Sequence, residues 1–113
     1  MHELGIATQI AETVRKVMEE HNARRVGEIT VEIGGLAGVD KDSLEFCFDA
    51  IIGGTPLEGA HLKIMEVRPE AHCKKCGREY VINIKDFSCP VCGARDFEVI
   101  GGTDICIKQV EVE

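Results

Sequence analysis

Tryptophan is absent from this 113-residue chain, tyrosine occurs once and phenylalanine four times. A small metal module built round an aromatic core is therefore disfavoured. Basic charge is also short: 13 Lys and Arg face 20 Asp and Glu, for a net charge of -7. Phosphate binding needs a basic face, so nucleic acid is not an expected partner. No apolar stretch approaches the length of a membrane span, which argues against a membrane protein. The chain begins Met1-His2-Glu3 without a basic start leading into an apolar core, so no signal peptide is expected. The expected location is the cytoplasm, where thiols stay reduced. No Ser-His-Asp set, phosphate-cradling loop or pair of catalytic carboxylates can be identified, and the chain is read as a non-enzyme.

Cysteine, in contrast, is plentiful and ordered. Cys73-Lys-Lys-Cys76-Gly77 and Cys89-Pro-Val-Cys92-Gly93 are two Cys-x-x-Cys knuckles, twelve residues apart. Two thiolates three residues apart grip one ion from a tight turn. The glycine after each second cysteine permits the positive φ that such a turn needs. Four sulfurs suit a tetrahedral ion of the zinc type. In a reducing compartment this pattern favours metal over disulfides.

The surrounding chain reads as α+β. Residues 4–20 form an amphipathic helix with Leu4, Ala7, Ala11, Val14 and Met18 on its apolar stripe. Residues 28–33 alternate as a half-buried strand. A flexible glycine-rich loop follows at 34–38. Asp40 or Asp42 caps a second helix through Ile52, with Leu44, Cys47, Phe48 and Ile51 inward. Leu62, Ile64 and Val67 mark another strand. Residues 104–112 are strand-like, with apolar positions that change parity between Ile107 and Val110, as a bulge or burial on both faces would require. The expectation is a discontinuous domain, 1–67 and 101–113, whose small sheet carries two helices on one face. A zinc-ribbon-like module with four cysteine ligands, 68–100, is inserted in it. The extended run Tyr80-Val81-Ile82-Asn83-Ile84 links the two knuckles. The module has too few large apolar side chains to offset its chain entropy, and zinc binding, worth on the order of 10 kcal/mol, is expected to fold it.

His2 is the other informative residue. The terminal amine, nearby backbone amides and the imidazole bring together a nitrogen set that favours square-planar Ni(II) or Cu(II). The remaining candidates have plainer readings. Cys47 and Cys106 are expected as buried thiols without chemistry. His21 lies at a helix end and His61 at a solvated strand edge. His72 is placed to hydrogen-bond a thiolate or exchange with one. Asp40, Asp42 and Asp49 serve capping and solvation.

Met1-His2-Glu3-Leu4 opening an amphipathic helix, the Gly-Gly-Leu loop, Ser43-Leu44-Glu45-Phe46-Cys47-Phe48-Asp49 and paired knuckles before a C-terminal strand together resemble the HypA/HybF family of nickel metallochaperones. The resemblance covers essentially the whole chain. It implies Ni(II) as cargo at the N-terminus, with His2 the principal ligand, aided by the Met1 amine and the His2 and Glu3 backbone nitrogens. The Glu3 carboxylate would tune the site or help delivery. It further implies structural zinc at Cys73, Cys76, Cys89 and Cys92. The implied partners are the GTPase HypB and the precursor of the [NiFe]-hydrogenase large subunit, with the chain acting as monomer or homodimer. Two alternatives compete: a rubredoxin-like iron electron carrier, which the absence of Trp and the single Tyr disfavour, and a zinc-ribbon interaction module without a second metal.

Overall fold

A computed structural model describes residues 2–113. The order of elements is α1 (His2–Glu20), β1 (Val26–Gly34), α2 (Lys41–Ile52), β2 (His61–Val67), β3 (Glu70–Cys73), β4 (Glu79–Val81), β5 (Phe97–Gly101) and β6 (Ile105–Val112). Two helices and two three-stranded sheets make an α+β fold. The sheet orders are β2-β1-β6 and β4-β3-β5.

The chain divides into two compact units. The first comprises Met1–Glu32, Gly38–Met65 and Cys106–Glu113. Helical periodicity in α1 buries Ala7, Ile10, Val14 and Met18. In α2 it buries Leu44, Cys47, Phe48 and Ile52, and the two helices pack on each other. Alternation in β1 buries Ile29 and Val31 while Glu28 and Glu32 stay half-buried. Leu57 and Leu62 complete this core.

Several local expectations change. Helix α1 starts at His2 instead of residue 4, and Leu4 stays exposed, so the apolar stripe begins at Ala7. Asn22 stops this helix in the left-handed region, φ 51°. In β6, Ile105 and Ile107 and then Val110 and Val112 are half-buried between exposed neighbours. The change of parity is real, and burial on both faces is excluded. Alternation also turns Cys106 outward beside the inward Ile105 and Ile107. It is an exposed thiol, contrary to the expectation of burial, whereas Cys47 is buried as expected.

The second unit comprises Ile33–Ala37 and Glu66–Ile105. Its glycine loop is pinned, not flexible. The Gly34, Gly35 and Leu36 N–H groups donate to the carbonyls of Asp104, Val67 and Gly102 at 2.9, 2.8 and 2.9 Å. The approach is so close that a Cβ on Gly34 would strike the Gly102 backbone, and Gly102 itself adopts φ +81°. Strand β3 pairs antiparallel with β4, Ala71 opposite Tyr80, and with β5, Cys73 opposite Phe97. The run expected to be extended over 80–84 is a strand only to Val81. The Asp86 N–H donates to the Asn83 carbonyl and folds the segment into a turn, which leaves Ile84 exposed.

Candidate metal centre

The two knuckles repeat one hydrogen-bond pattern. In the first, the Gly77 N–H donates to the Cys73 carbonyl at 2.9 Å and the Cys73 N–H to the Arg78 carbonyl at 2.8 Å. In the second, Gly93 donates to Cys89 and Cys89 to Ala94, each at 2.8 Å. Gly77 and Gly93 sit at φ +79° and +77°, the conformation glycine adopts without strain. Strand β3 delivers Cys73 at its end, and the Asp86–Ser88 turn leads into Cys89.

Backbone N–H groups also point at sulfur. Cys76 N–H donates to Cys73 Sγ and Val91 N–H to Cys89 Sγ, both at 3.4 Å. The Cys76 amide is the main cause that holds Cys73 down to about 6, against burial, which raises it. This setting favours the thiolate, the form that ligates. Cys89 is lowered in the same way, chiefly by the Cys92 amide. Cys76 receives an opposing pull from the Arg78 backbone, yet burial and the neighbouring thiols push it up to about 11. One cysteine of each knuckle is buried (Cys73, Cys89) and one is exposed (Cys76, Cys92).

The four Sγ atoms lie within 4.8 Å of one another. Cys73 faces Cys92 at 3.6 Å and Cys76 faces Cys89 at 3.7 Å, too far for disulfide bonds. A tetrahedron of sulfurs round an ion at the zinc–thiolate distance has an edge of about 3.8 Å. The cysteines therefore fit one tetrahedral metal ion. His72 is not part of this cluster; it stands in β3 opposite Glu79 and Glu98.

At the other candidate site, His2 is 58% exposed in the first turn of α1, and its Nδ1 lies 3.7 Å from Glu3 Oε2. That same oxygen accepts the Asp40 N–H at 3.2 Å. The Asp40 amide is the largest influence that lowers the Glu3 carboxyl below its ordinary value, and the Glu3 amide and His2 act in the same direction. Asp40 in turn caps α2, its Oδ1 accepting from the N–H groups of Asp42 and Ser43 at 3.0 and 3.1 Å. The chain His2–Glu3–Asp40 links the starts of both helices. The sequence offers Asp40 or Asp42 as the cap and the structure uses Asp40, but the amide bond to Glu3, 37 residues away, leaves no local signal. Met1 lies outside the described residues.

The family described as "Hydrogenase/urease nickel incorporation, metallochaperone, hypA" matches residues 1–112. The chain belongs to the HypA family. It is 40% identical to the hydrogenase maturation factor HypA of Geobacter metallireducens, with 100% of both chains covered. It is 42% identical to the factor of the same name from Nostoc, covering 100% of this chain and 96% of that one. Two solution structures share the fold at 19% identity. One, titled as HypA protein, has a TM-score of 0.74 and covers 100% of this chain and 97% of its own. The other, the Ni metallochaperone HypA from Helicobacter pylori, has a TM-score of 0.69 and covers 97% and 96%. Family membership makes the chain a metallochaperone of hydrogenase maturation with a four-cysteine metal cluster.

Proposed function

We propose that the chain binds Ni(II) as cargo at its N-terminus and passes it on during maturation of [NiFe]-hydrogenase. The observation that carries this reading is the exposed His2 in a first helical turn, beside a Glu3 that Asp40 holds in place. The first amides of a helix have no intrahelical carbonyl acceptor, so the His2 backbone nitrogen, and the Glu3 nitrogen once it leaves its own carboxylate, can join the imidazole and the Met1 amine. Such a nitrogen set suits Ni(II). Its exposure favours release by ligand exchange: an incoming ligand attaches before the old ones leave. Glu3 acts by steering the imidazole and by placing negative charge beside the cation.

In this reading Cys73, Cys76, Cys89 and Cys92 hold structural zinc. The buried apolar side chains of the second unit are few: Ile33, Pro69, Ala71 and Ile82 beside Cys73 and Cys89. Metal binding supplies the stability that this core lacks. The nickel-binding domain is 1–67 with 101–113, and the zinc-binding domain 68–100. The partners are the GTPase HypB and the immature hydrogenase large subunit, met in the cytoplasm. Among the described residues no helix is long and apolar enough to cross a membrane. The chain catalyses no reaction of its own.

Metal analysis of the untagged protein before and after adding Ni(II) tests the proposal. One zinc before, and one zinc plus one nickel after, is expected. His2→Ala is expected to lose the nickel and hydrogenase maturation while keeping the zinc and changing stability by less than about 0.5 kcal/mol, because the side chain buries little. Undiminished nickel uptake by this variant would move the site elsewhere. A red, iron-containing protein would instead support an electron carrier.

A further inference from the structure

The outer face of α2 has a use that neither metal explains. Leu44, Cys47, Phe48 and Ile52 occupy its buried side. On the opposite side Phe46 is 76% exposed, more than any other large apolar side chain described. Helical spacing sets Asp42 one turn before it and Asp49 one turn after, with half-buried Glu45 at its margin. Among the described residues no ion pair engages these three carboxylates.

Helix stability does not account for this arrangement. Asp42 in the first turn complements the helix dipole, but Asp49 lies in the last turn, where the dipole opposes it and no base compensates. Glu45 and Asp49 are like charges at i and i+4, a spacing at which they repel. The first unit as a whole has thirteen acidic and seven basic side chains, so six of the seven net negative charges are there. A cationic neighbour would relieve the repulsion and cover the ring at once.

We propose that Phe46, framed by Asp42, Glu45 and Asp49, is the anchor of a docking surface for a partner protein that offers an apolar pocket rimmed by lysine or arginine. The ring enters the pocket and supplies most of the affinity, as buried aromatics do at interface centres. The carboxylates meet the rim, speed encounter and reject acidic partners. Position 46 lies six residues along the helix from the Asp40 amide that holds Glu3, about 9 Å at the rise of an α-helix. A docked partner therefore stands near the start of α1. The inference rests on α2 alone and not on nickel at His2.

The test places the photoreactive analogue benzoyl-phenylalanine at position 46 of the full chain in hydrogenase-producing cells. Mass spectrometry then identifies the cross-linked segments. The expected adduct joins position 46 to a lysine- or arginine-rich segment of a different protein. Its yield should fall at least about fivefold in Glu45→Gln/Asp49→Asn and should fall as salt rises in lysate. Cross-linking should be unchanged in His2→Ala, which separates docking from nickel binding. Circular dichroism and zinc content should be unaffected, since the ring is exposed. Adducts only between two copies of this chain would overturn the proposal. So would adducts to neutral or acidic segments, a yield indifferent to Glu45 and Asp49, or a yield no higher than with the analogue at exposed Gln9 of α1.

Discussion

Asp40 serves both helices at once. Its carboxylate closes the first turn of α2, and its amide is the partner of Glu3. Asp40→Ala is expected to destabilise the first unit by about 1 kcal/mol, the ordinary cost of a lost N-cap, and Asp40→Asn by much less. Chemical denaturation followed by helical circular dichroism measures the difference. The backbone bond to Glu3 survives both changes, so acid should open it instead. Because the Glu3 pKa is lowered in the folded protein, its contribution to stability is complete above the ordinary carboxylate value of about 4.3. That contribution is lost as pH falls through the lowered folded value. In the nickel-free protein the Asp40 amide signal, followed by NMR, should titrate with a midpoint below 4.3 and stop doing so in Glu3→Gln.

At the scale of elements, the glycine loop and the knuckles make opposite demands. Gly34→Ala puts a Cβ into the Gly102 backbone, and only main-chain movement can relieve the clash. A loss of about 2 kcal/mol or more is expected on urea unfolding. Cys76→Ser leaves every knuckle hydrogen bond in reach but removes one thiolate. It should release the metal and unfold the second unit to proteases, with α1 and α2 intact. The sequence made these elements unequally legible. Both helices, the central strand β1 and the cysteine cluster rest on short-range periodicity and spacing, and all are present, although α1 and β1 each begin two residues earlier than read and α2 buries Ile52 where Ile51 was expected. The start of α1 at His2 has no side-chain cap to announce it. Strand β5 lacks the alternation that marks a one-sided strand, and it exists because β3 offers an edge. The Asn83–Asp86 turn interrupts a run that composition alone makes extended. Cys106 is exposed because its strand neighbours, not its own chemistry, choose the inward face.

The molecule as a whole joins a conventional apolar core to a unit with little core of its own. The largest fully buried side chains are Phe48, Ile29, Leu44, Leu57, Val14, Val31 and Cys73. All but Cys73 belong to the first unit. Chelation of the metal should therefore give partial unfolding. Amide exchange should become fast over Glu66–Ile105 and stay slow in α1 and β1 of the same sample. Uniform loss of protection would mean that the first unit also depends on metal.

Strand β6 sits beside β1 in the first sheet, yet it follows every other element in the chain. A ribosome releases α1 and β1 first and β6 last. One edge of β1 therefore waits without its neighbour while the cysteine knuckles are made. Closure of the first sheet therefore has to follow synthesis of the whole second unit. A chain that stalls before β6 carries an unfinished β1 edge, a surface open to mispairing.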